Sequence, residues 1–358
     1  MRTVISEDLS TVGLSTRPGS NVSAGSGAPA SAASSPASHS QQHQRSVSAS
    51  PTAAASANPT VVAGLQSGVT RVSLGGYGHL CASMAAGGMR CLGLNFLGQL
   101  GRGAVSLTEP AGPVVGITER VDSFEAGYFH VCAVVAGQAL CWGEDIYGQL
   151  GRNDDALATA PGPVRGLPRR AVRVDGGGDH GCAVDDAGRA HCWGSNFAGQ
   201  LGDGTTVTRA DSAPVAAPGM IFTAIALGST HSCAAEAGGG VQCWGSNASG
   251  QLGNGGTDSS SLPVAVVALQ GVTSLSAGLS HTCAVAAGGA VKCWGDNSVG
   301  ELGDGTTQSR LAPVDVQGLP GPATAVAAAF GHSCALIAGG AVWCWGSNFF
   351  GTLGRVTS

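Results

Sequence analysis

Twelve cysteines recur in six pairs, and they are the residues best suited to chemistry in this chain. The pairs are Cys81 with Cys91, Cys132 with Cys141, Cys182 with Cys192, Cys233 with Cys243, Cys283 with Cys293, and Cys334 with Cys344; they are ten residues apart in five pairs and nine in the second. Either separation suits a hairpin with the two cysteines opposed. Opposed residues of a non-hydrogen-bonded pair have Cα atoms about 4.5 Å apart, within disulfide reach. Six disulfides are therefore expected, each closing a short loop and contributing about 2–3 kcal/mol at most. The alternative is twelve buried thiols packed as small apolar groups. A histidine stands two residues before the first cysteine of each pair, at His79, His130, His180, His231, His281 and His332. His, Cys and Cys are ligand types for zinc, but this reading needs six equivalent metals and a fourth ligand for each. The stronger reading is that each histidine hydrogen-bonds a neighbouring backbone or blade. A side chain repeated six times serves geometry, because catalysis needs one asymmetric site. No cofactor is called for.

The elements that position these residues repeat as well. The histidines are 51, 50, 51, 50 and 51 residues apart, and a period near fifty marks a repeat architecture. Each unit reads as a strand ending in Gly before the His, a hairpin between the cysteines, a Gly-rich loop, and a connector ending in a Pro-Val strand. About four short strands per unit is the content of one propeller blade, so the fold class is all-β, a six-bladed propeller. Trp142, Trp193, Trp244, Trp294 and Trp345 each precede a Gly, which suits packing between sheets. The chain reaches only Gly351-Thr-Leu-Gly354 in its sixth unit, without a Pro-Val strand, and Pro59–Leu65 looks like the missing strand. N- and C-terminal pieces are thus expected to complete one blade, which removes exposed sheet edges. Residues 1–58 are rich in Ser, Ala and Pro and lack Cys and aromatic residues, so they are expected to be a disordered tail ahead of a 59–358 propeller.

Composition excludes several function classes. Net charge is −5 over 358 residues, so nucleic acid is not an expected partner. No apolar run approaches the roughly 18 residues of a membrane span, so no membrane partner is expected. The N-terminus lacks a signal-peptide shape, which favours the cytoplasm, whereas paired cysteines favour an extracellular or cell-surface site. The two signals stay opposed.

His-Ser-Cys-Ala, Cys-Trp-Gly-x-Asn and Gly-Gln-Leu-Gly-x-Gly recur in order, as at His332–Ala335, Cys192–Asn196 and Gly199–Gly204. This pattern resembles the RCC1-type (regulator of chromosome condensation) repeat over about 59–354. The Tyr-Asp of kelch repeats and the Trp-Asp of WD repeats are missing. The resemblance implies a β-propeller, usually of seven blades where six units are counted here. The cysteine pairs look like the bacterial and extracellular branches of the family.

The expected function is a non-catalytic protein–protein interaction scaffold acting as a monomer. No phosphate loop, nucleophile elbow or His-Glu-x-x-His helix is present, and the carboxylates read as scattered over non-equivalent connectors. Candidate partner-binding residues are the loop aromatics Phe96, Tyr147, Phe197, Phe349 and Phe350, with Tyr77, Tyr128, Phe129 and Phe330 ahead of the histidines. Aromatics are common interface anchors, and the alternative is packing between blades. The resemblance also implies guanine-nucleotide exchange on a small GTPase, the founding member's activity, through a wedge inserted between blades. The last loop Gly lies 29, 29, 29, 28 and 29 residues before the next His, so no unit carries an insertion and a GTPase partner is disfavoured. A secreted carbohydrate-binding or hydrolytic propeller is a third reading, weakened by the lack of a unique catalytic constellation. The cluster Arg165, Arg169, Arg170 and Arg173 is expected to form a solvated connector with nearby Asp154, Asp155 and Asp175.

Overall fold

The computed structural model describes residues 61–153, 157–349 and 352–353. The tail expected over 1–58 lies outside them. Every cysteine pair sits at the centre of a hairpin, and antiparallel sheets grow outward from it in chain order, five of them with four described strands and the sixth with three. Blade one is β1 (Val69–Gly75), β2 (His79–Met84), β3 (Met89–Asn95) and β4 (Ser106–Pro113). Blade two is β5 (Val121–Ala126), β6 (His130–Val135), β7 (Gln138–Glu144) and β8 (Leu157–Pro163). Blade three is β9 (Ala171–Gly176), β10 (His180–Asp185), β11 (Ala190–Gly194) and β12 (Arg209–Pro214). Blade four is β13 (Phe222–Leu227), β14 (His231–Glu236), β15 (Val241–Gly245) and β16 (Ser260–Ala265). Blade five is β17 (Ser274–Ala277), β18 (His281–Val285), β19 (Val291–Gly295) and β20 (Arg310–Asp315). Blade six shows three described strands, β21 (Ala323–Ala328), β22 (His332–Ile337) and β23 (Val342–Gly346).

The cysteines are cross-strand partners in every register. Cys81 faces Cys91, Cys132 faces Cys141, and Cys182 faces Cys192. Cys233 faces Cys243, Cys283 faces Cys293, and Cys334 faces Cys344. All six disulfides are formed, with Cα separations of 4.0 to 4.2 Å. The alternative of buried free thiols is thereby set aside for every pair. The nine-residue spacing in blade two follows from its tighter turn. Ala136 and Gly137 both adopt positive φ, 51° and 82°, and Val135 pairs directly with Gln138. That is the geometry of a two-residue hairpin loop matched to strand twist.

Successive blades pack face to face. The disulfide face of one blade meets the tryptophan face of the next, and five apolar cores fill the seams from one/two to five/six. Trp142, Trp193, Trp244 and Trp294 are fully buried in these seams. Each donates its indole N–H to the backbone carbonyl of the preceding blade's loop, at Gln99, Gln149, Gln200 and Gln251 (2.8 to 3.0 Å). The loop is stiffened from within. The Leu201 N–H donates to Asn196 Oδ1 at 3.0 Å and the Ala198 N–H to Gln200 Oε1 at 3.0 Å, which explains the recurring Asn and Gln. Glycine is required after the tryptophan. At Gly245, φ is +103° and a Cβ would lie 2.6 Å from the Thr230 carbonyl oxygen.

The expected closing strand needs correction. Val61–Leu65 is not a strand; it runs as coil and turn beside blade one, where Arg90 Nη1 donates to the Gly64 carbonyl at 3.1 Å. Gly64 shares its positive φ with Gly116 and Gly166, which follow β4 and β8 by three residues. Pro59 and Thr60, the start of the expected strand, lie outside the described residues. Among the described residues β23 keeps an unpaired outer edge, and no apolar core joins blade six to blade one.

Candidate functional site

Two features break the sixfold repetition. The first lies in the seams. In blades four, five and six the residue after the repeat histidine is Ser232, Thr282 or Ser333. Each hydroxyl donates to a loop carbonyl of the preceding blade, Gln200, Gln251 or Glu301, at 2.8, 3.3 and 2.9 Å. Its oxygen also meets the preceding blade's His180, His231 or His281 at 2.9 Å. Since the hydroxyl proton goes to the carbonyl, the imidazole Nε2–H must be the donor to the hydroxyl. In blades two and three the position holds Val131 and Gly181, so neither ring nitrogen of His79 or His130 has a hydrogen-bond partner. Burial pushes all five histidines down, to about 4 for His79 and His231 and about 3 for His130, His180 and His281. They are neutral structural groups. Their cysteine neighbours are consumed in disulfides, Cys243 and Cys293 with the rest, and no metal-binding cluster occurs among the described residues.

The second feature lies at one end of the ring. The loops after the tryptophans and those before the histidines reach the same end, so the two aromatic sets merge. Tyr77 stacks on Phe129 at 4.4 Å between ring centres, and Phe129 meets Phe96 at 5.6 Å. Phe330 of blade six stacks on Tyr128 at 5.4 Å and meets Tyr77 edge-on at 5.9 Å. Five rings from blades one, two and six thus form one cluster. Tyr77 and Phe96 remain 42% and 43% exposed within it. Tyr147 and Phe197 form a second pair at 5.8 Å, and Phe197 is 71% exposed. Phe349 is 85% exposed at the tip of its blade's loop, and Phe350 lies outside the described residues.

Below the rim runs a central channel of about 1510 Å³ lined by the first strand of each blade. One half of its wall is charged, and sequence reading missed this. Arg71 pairs with Glu125, which also accepts from Ser73 Oγ at 2.6 Å. Asp175 Oδ2 accepts the Leu227 N–H at 3.2 Å, and burial raises its carboxyl pKa. The equivalent positions across the channel are Ala226, Ser276 and Ala327. Glu125 lies in a strand, as the strand reading of Val121–Ala126 expects, whereas Asp175 is a strand residue rather than the connector residue it was expected to be. Aligning the repeats on their cysteines would have revealed them as charges where other units hold Ala or Ser. At the base, Arg169 pairs with Asp186 at 2.6 Å and Arg165 with Asp211 at 3.6 Å, while Asp154 and Asp155 lie outside the described residues. Asp175 is in the channel, not in that connector.

Six disulfide-bearing blades around a channel, with tryptophan-sealed seams and an aromatic rim, define a repeat β-propeller. Residues 42–358 match the family model described as RCC1-like domain, and the chain belongs to that family. Among curated proteins, human E3 ubiquitin-protein ligase HERC2 is 33% identical over 90 residues. That match covers 24% of this chain and spans only 2% of HERC2. Among solved structures, human WBSCR16 is similar with a TM-score of 0.72 and 22% identity, covering 80% of this chain and 79% of that one. Yeast RCC1 (Prp20), solved with Kap60, is similar with a TM-score of 0.70 and 21% identity, covering 79% and 71%. At these identities the structural likeness is one of fold.

Proposed function

We propose that the chain is a non-catalytic binding scaffold whose aromatic rim takes a protein partner. The observation that carries this is the merging of two sequence-distant aromatic sets at one end of the ring, with Tyr77, Phe96, Phe197 and Phe349 left exposed. Rigid aromatic rings lose little entropy on binding and are enriched among interface hot spots. The seams below hold the loops, so the rim is a preorganised surface. The family likeness agrees with a protein partner, since Prp20p of Saccharomyces cerevisiae is described with binding to Gsp1p and histones. The test is affinity capture from the native source with wild type and with Phe197→Ala and Phe349→Ala variants whose thermal unfolding is unchanged. A partner held by wild type and lost by the variants supports the reading; equal capture refutes it.

A second reading is nucleotide exchange on a small GTPase, supported by the likeness to Prp20p. The even connectors argue against it, because no blade carries an inserted wedge. Accelerated release of labelled GDP from a GTPase of the same source would favour exchange, and no acceleration across such a panel would remove it.

A further inference from the structure

We propose that the charged half of the central channel is an anion-binding site, in which Arg173 and Arg71 supply the donors and a monocarboxylate is the ligand. The proposal stands apart from the rim reading above.

The channel wall is built from the first strand of each blade, and two positions on that strand decide what it offers. One pairs with the first cysteine of its repeat, as Asp175 does with Cys182 and Ser276 with Cys283. The other stands two residues earlier, where blades one and three hold Arg71 and Arg173 and the rest hold Ser or Ala. Short side chains are enough for the structural task at both positions. Ser73 Oγ accepts the Ala126 N–H of the next blade's strand at 3.0 Å, and Ser276 Oγ accepts the Ala328 N–H at 2.9 Å. Ser123 and Ser274 accept the Val174 and Val326 N–H groups in the same way, at 3.3 and 3.2 Å. The seams therefore do not need guanidinium groups here.

Arg173 is the surplus charge. Among the described residues its guanidinium makes one hydrogen bond, from Nη1 to the adjacent Val172 carbonyl at 3.0 Å, and no ion pair. Arg71 is held by Glu125 and by the Phe124 ring, whose centre lies 5.4 Å from the guanidinium carbon, yet its Nε–H is buried without a partner. Burial lowers the Arg71 pKa most; Asp175 raises it and the like charge of Arg173 lowers it. The nearby carboxylates are already engaged. Glu125 is shared by Arg71 and Ser73, and Asp175 accepts the Gly176 N–H at 2.7 Å and the Leu227 N–H at 3.2 Å. Burial also raises the Asp175 pKa, which weakens it as a counter-charge. The charged half thus combines a positive surplus with unused donors inside a channel, where charge-assisted hydrogen bonds are stronger than in open water.

Charge and surroundings limit the ligand. One surplus charge matches one carboxylate, and guanidinium donors suit its two oxygens. A dianion such as sulfate would bring a second negative charge against Glu125 and Asp175. The opposite wall presents Ala224, Ala325 and Ala327. At the rim end Phe330 and Tyr128 lie over Gly76, where a Cβ would stand 2.7 and 2.8 Å from the two rings. The body of the ligand is therefore uncharged and largely apolar.

The test is calorimetric titration of the native full chain with acetate, hexanoate and benzoate, set against benzamide as the neutral counterpart and sulfate as the dianion. At least one carboxylate is expected to bind once per chain, about tenfold or more tightly than benzamide or sulfate. Arg173→Ser copies the residue of blades two and five and is expected to weaken that binding at least about tenfold, with thermal unfolding unchanged. Arg170→Ser, at the base, is expected to leave it unaltered. On the unsubstituted chain, the bound carboxylate should protect Arg173 from phenylglyoxal, read by peptide mass. No carboxylate binding, equal binding of benzamide or sulfate, full affinity in Arg173→Ser, an equal loss in Arg170→Ser, or unprotected Arg173 overturns the inference. No protein partner enters these measurements, so the channel site and the rim reading fail separately.

Discussion

Thr282→Val removes one hydroxyl from the seam between blades four and five and keeps the side chain's shape. In the native seam, Thr282 Oγ1 accepts from His231 Nε2 at 2.9 Å and donates to the Gln251 carbonyl at 3.3 Å. His231 is fully buried, so no bulk solvent can replace the lost partner. A buried donor left unsatisfied costs about 1–3 kcal/mol. The Gln251 carbonyl keeps the Trp294 indole N–H at 2.9 Å, so its own loss is small. The expected change is therefore destabilisation of about 1–3 kcal/mol. The reciprocal change is Val131→Thr in blade two. There His79 has no partner, and the Gln99 carbonyl that accepts from Trp142 at 3.0 Å is the equivalent acceptor. The new hydroxyl is expected to stabilise by about 0.5–1.5 kcal/mol, the usual net value of one hydrogen bond. Calorimetric unfolding of both variants with disulfides intact measures the two signs. Unchanged stability in Thr282→Val, or a loss in Val131→Thr as large as that in Thr282→Val, would refute the claim that the hydroxyl is what the histidine needs.

Acid should destabilise the fold through the same histidines. Each has a folded pKa depressed to about 3 or 4 against an unfolded value near 6.5, so the unfolded chain takes up the proton first and stability present above pH 6.5 is lost as pH falls toward 4. At pH 5 the loss is about 2 kcal/mol for each such group. Glu144 and Asp175 act oppositely, because burial raises both to about 7 and protonation below pH 7 relieves their charge. Five histidines outweigh these two carboxyls, and a melting temperature that is flat or rising from pH 7 to 5 would contradict this balance. Gly245→Ala forces a Cβ to within 2.6 Å of the Thr230 carbonyl oxygen, whereas Gly300→Ala meets open space at φ +83°. The second should cost about 1–2 kcal/mol for the backbone alone and the first clearly more, read by denaturation of the two variants side by side. Phe330→Ala should raise hydrogen exchange in blade six above that in blade four; equal protection in both would mean that the ring contacts do not hold the seam.

Much of the site was legible once the repeat was seen, but not its asymmetry. The aromatics were visible as residues in two loop sets, and only the fold brings Phe96 against Phe129. The histidines were visible as structural groups. That His79 and His130 lack partners follows from Val131 and Gly181, which become informative only when the preceding blade is known to face them. The charged channel wall was hidden because Glu125 and Asp175 look like ordinary acidic residues until the repeats are superposed on their cysteines. Val61–Leu65 is coil rather than strand, and the buried valines Val114 and Val164 of its repeat equivalents likewise lie just after the strands, not within them.

Local pattern alone determined the period, the six hairpins, the pairing of their cysteines and the membership of the propeller class. These depend on residues within about ten positions of one another, where hairpin geometry leaves few choices. Tertiary structure decided which faces meet, which loops share an end of the ring, and which strand positions line the channel. Those properties join residues one or more repeats apart. A repeat unit reads nearly the same at every position in the ring, so only the arrangement of its neighbours can decide what each copy touches.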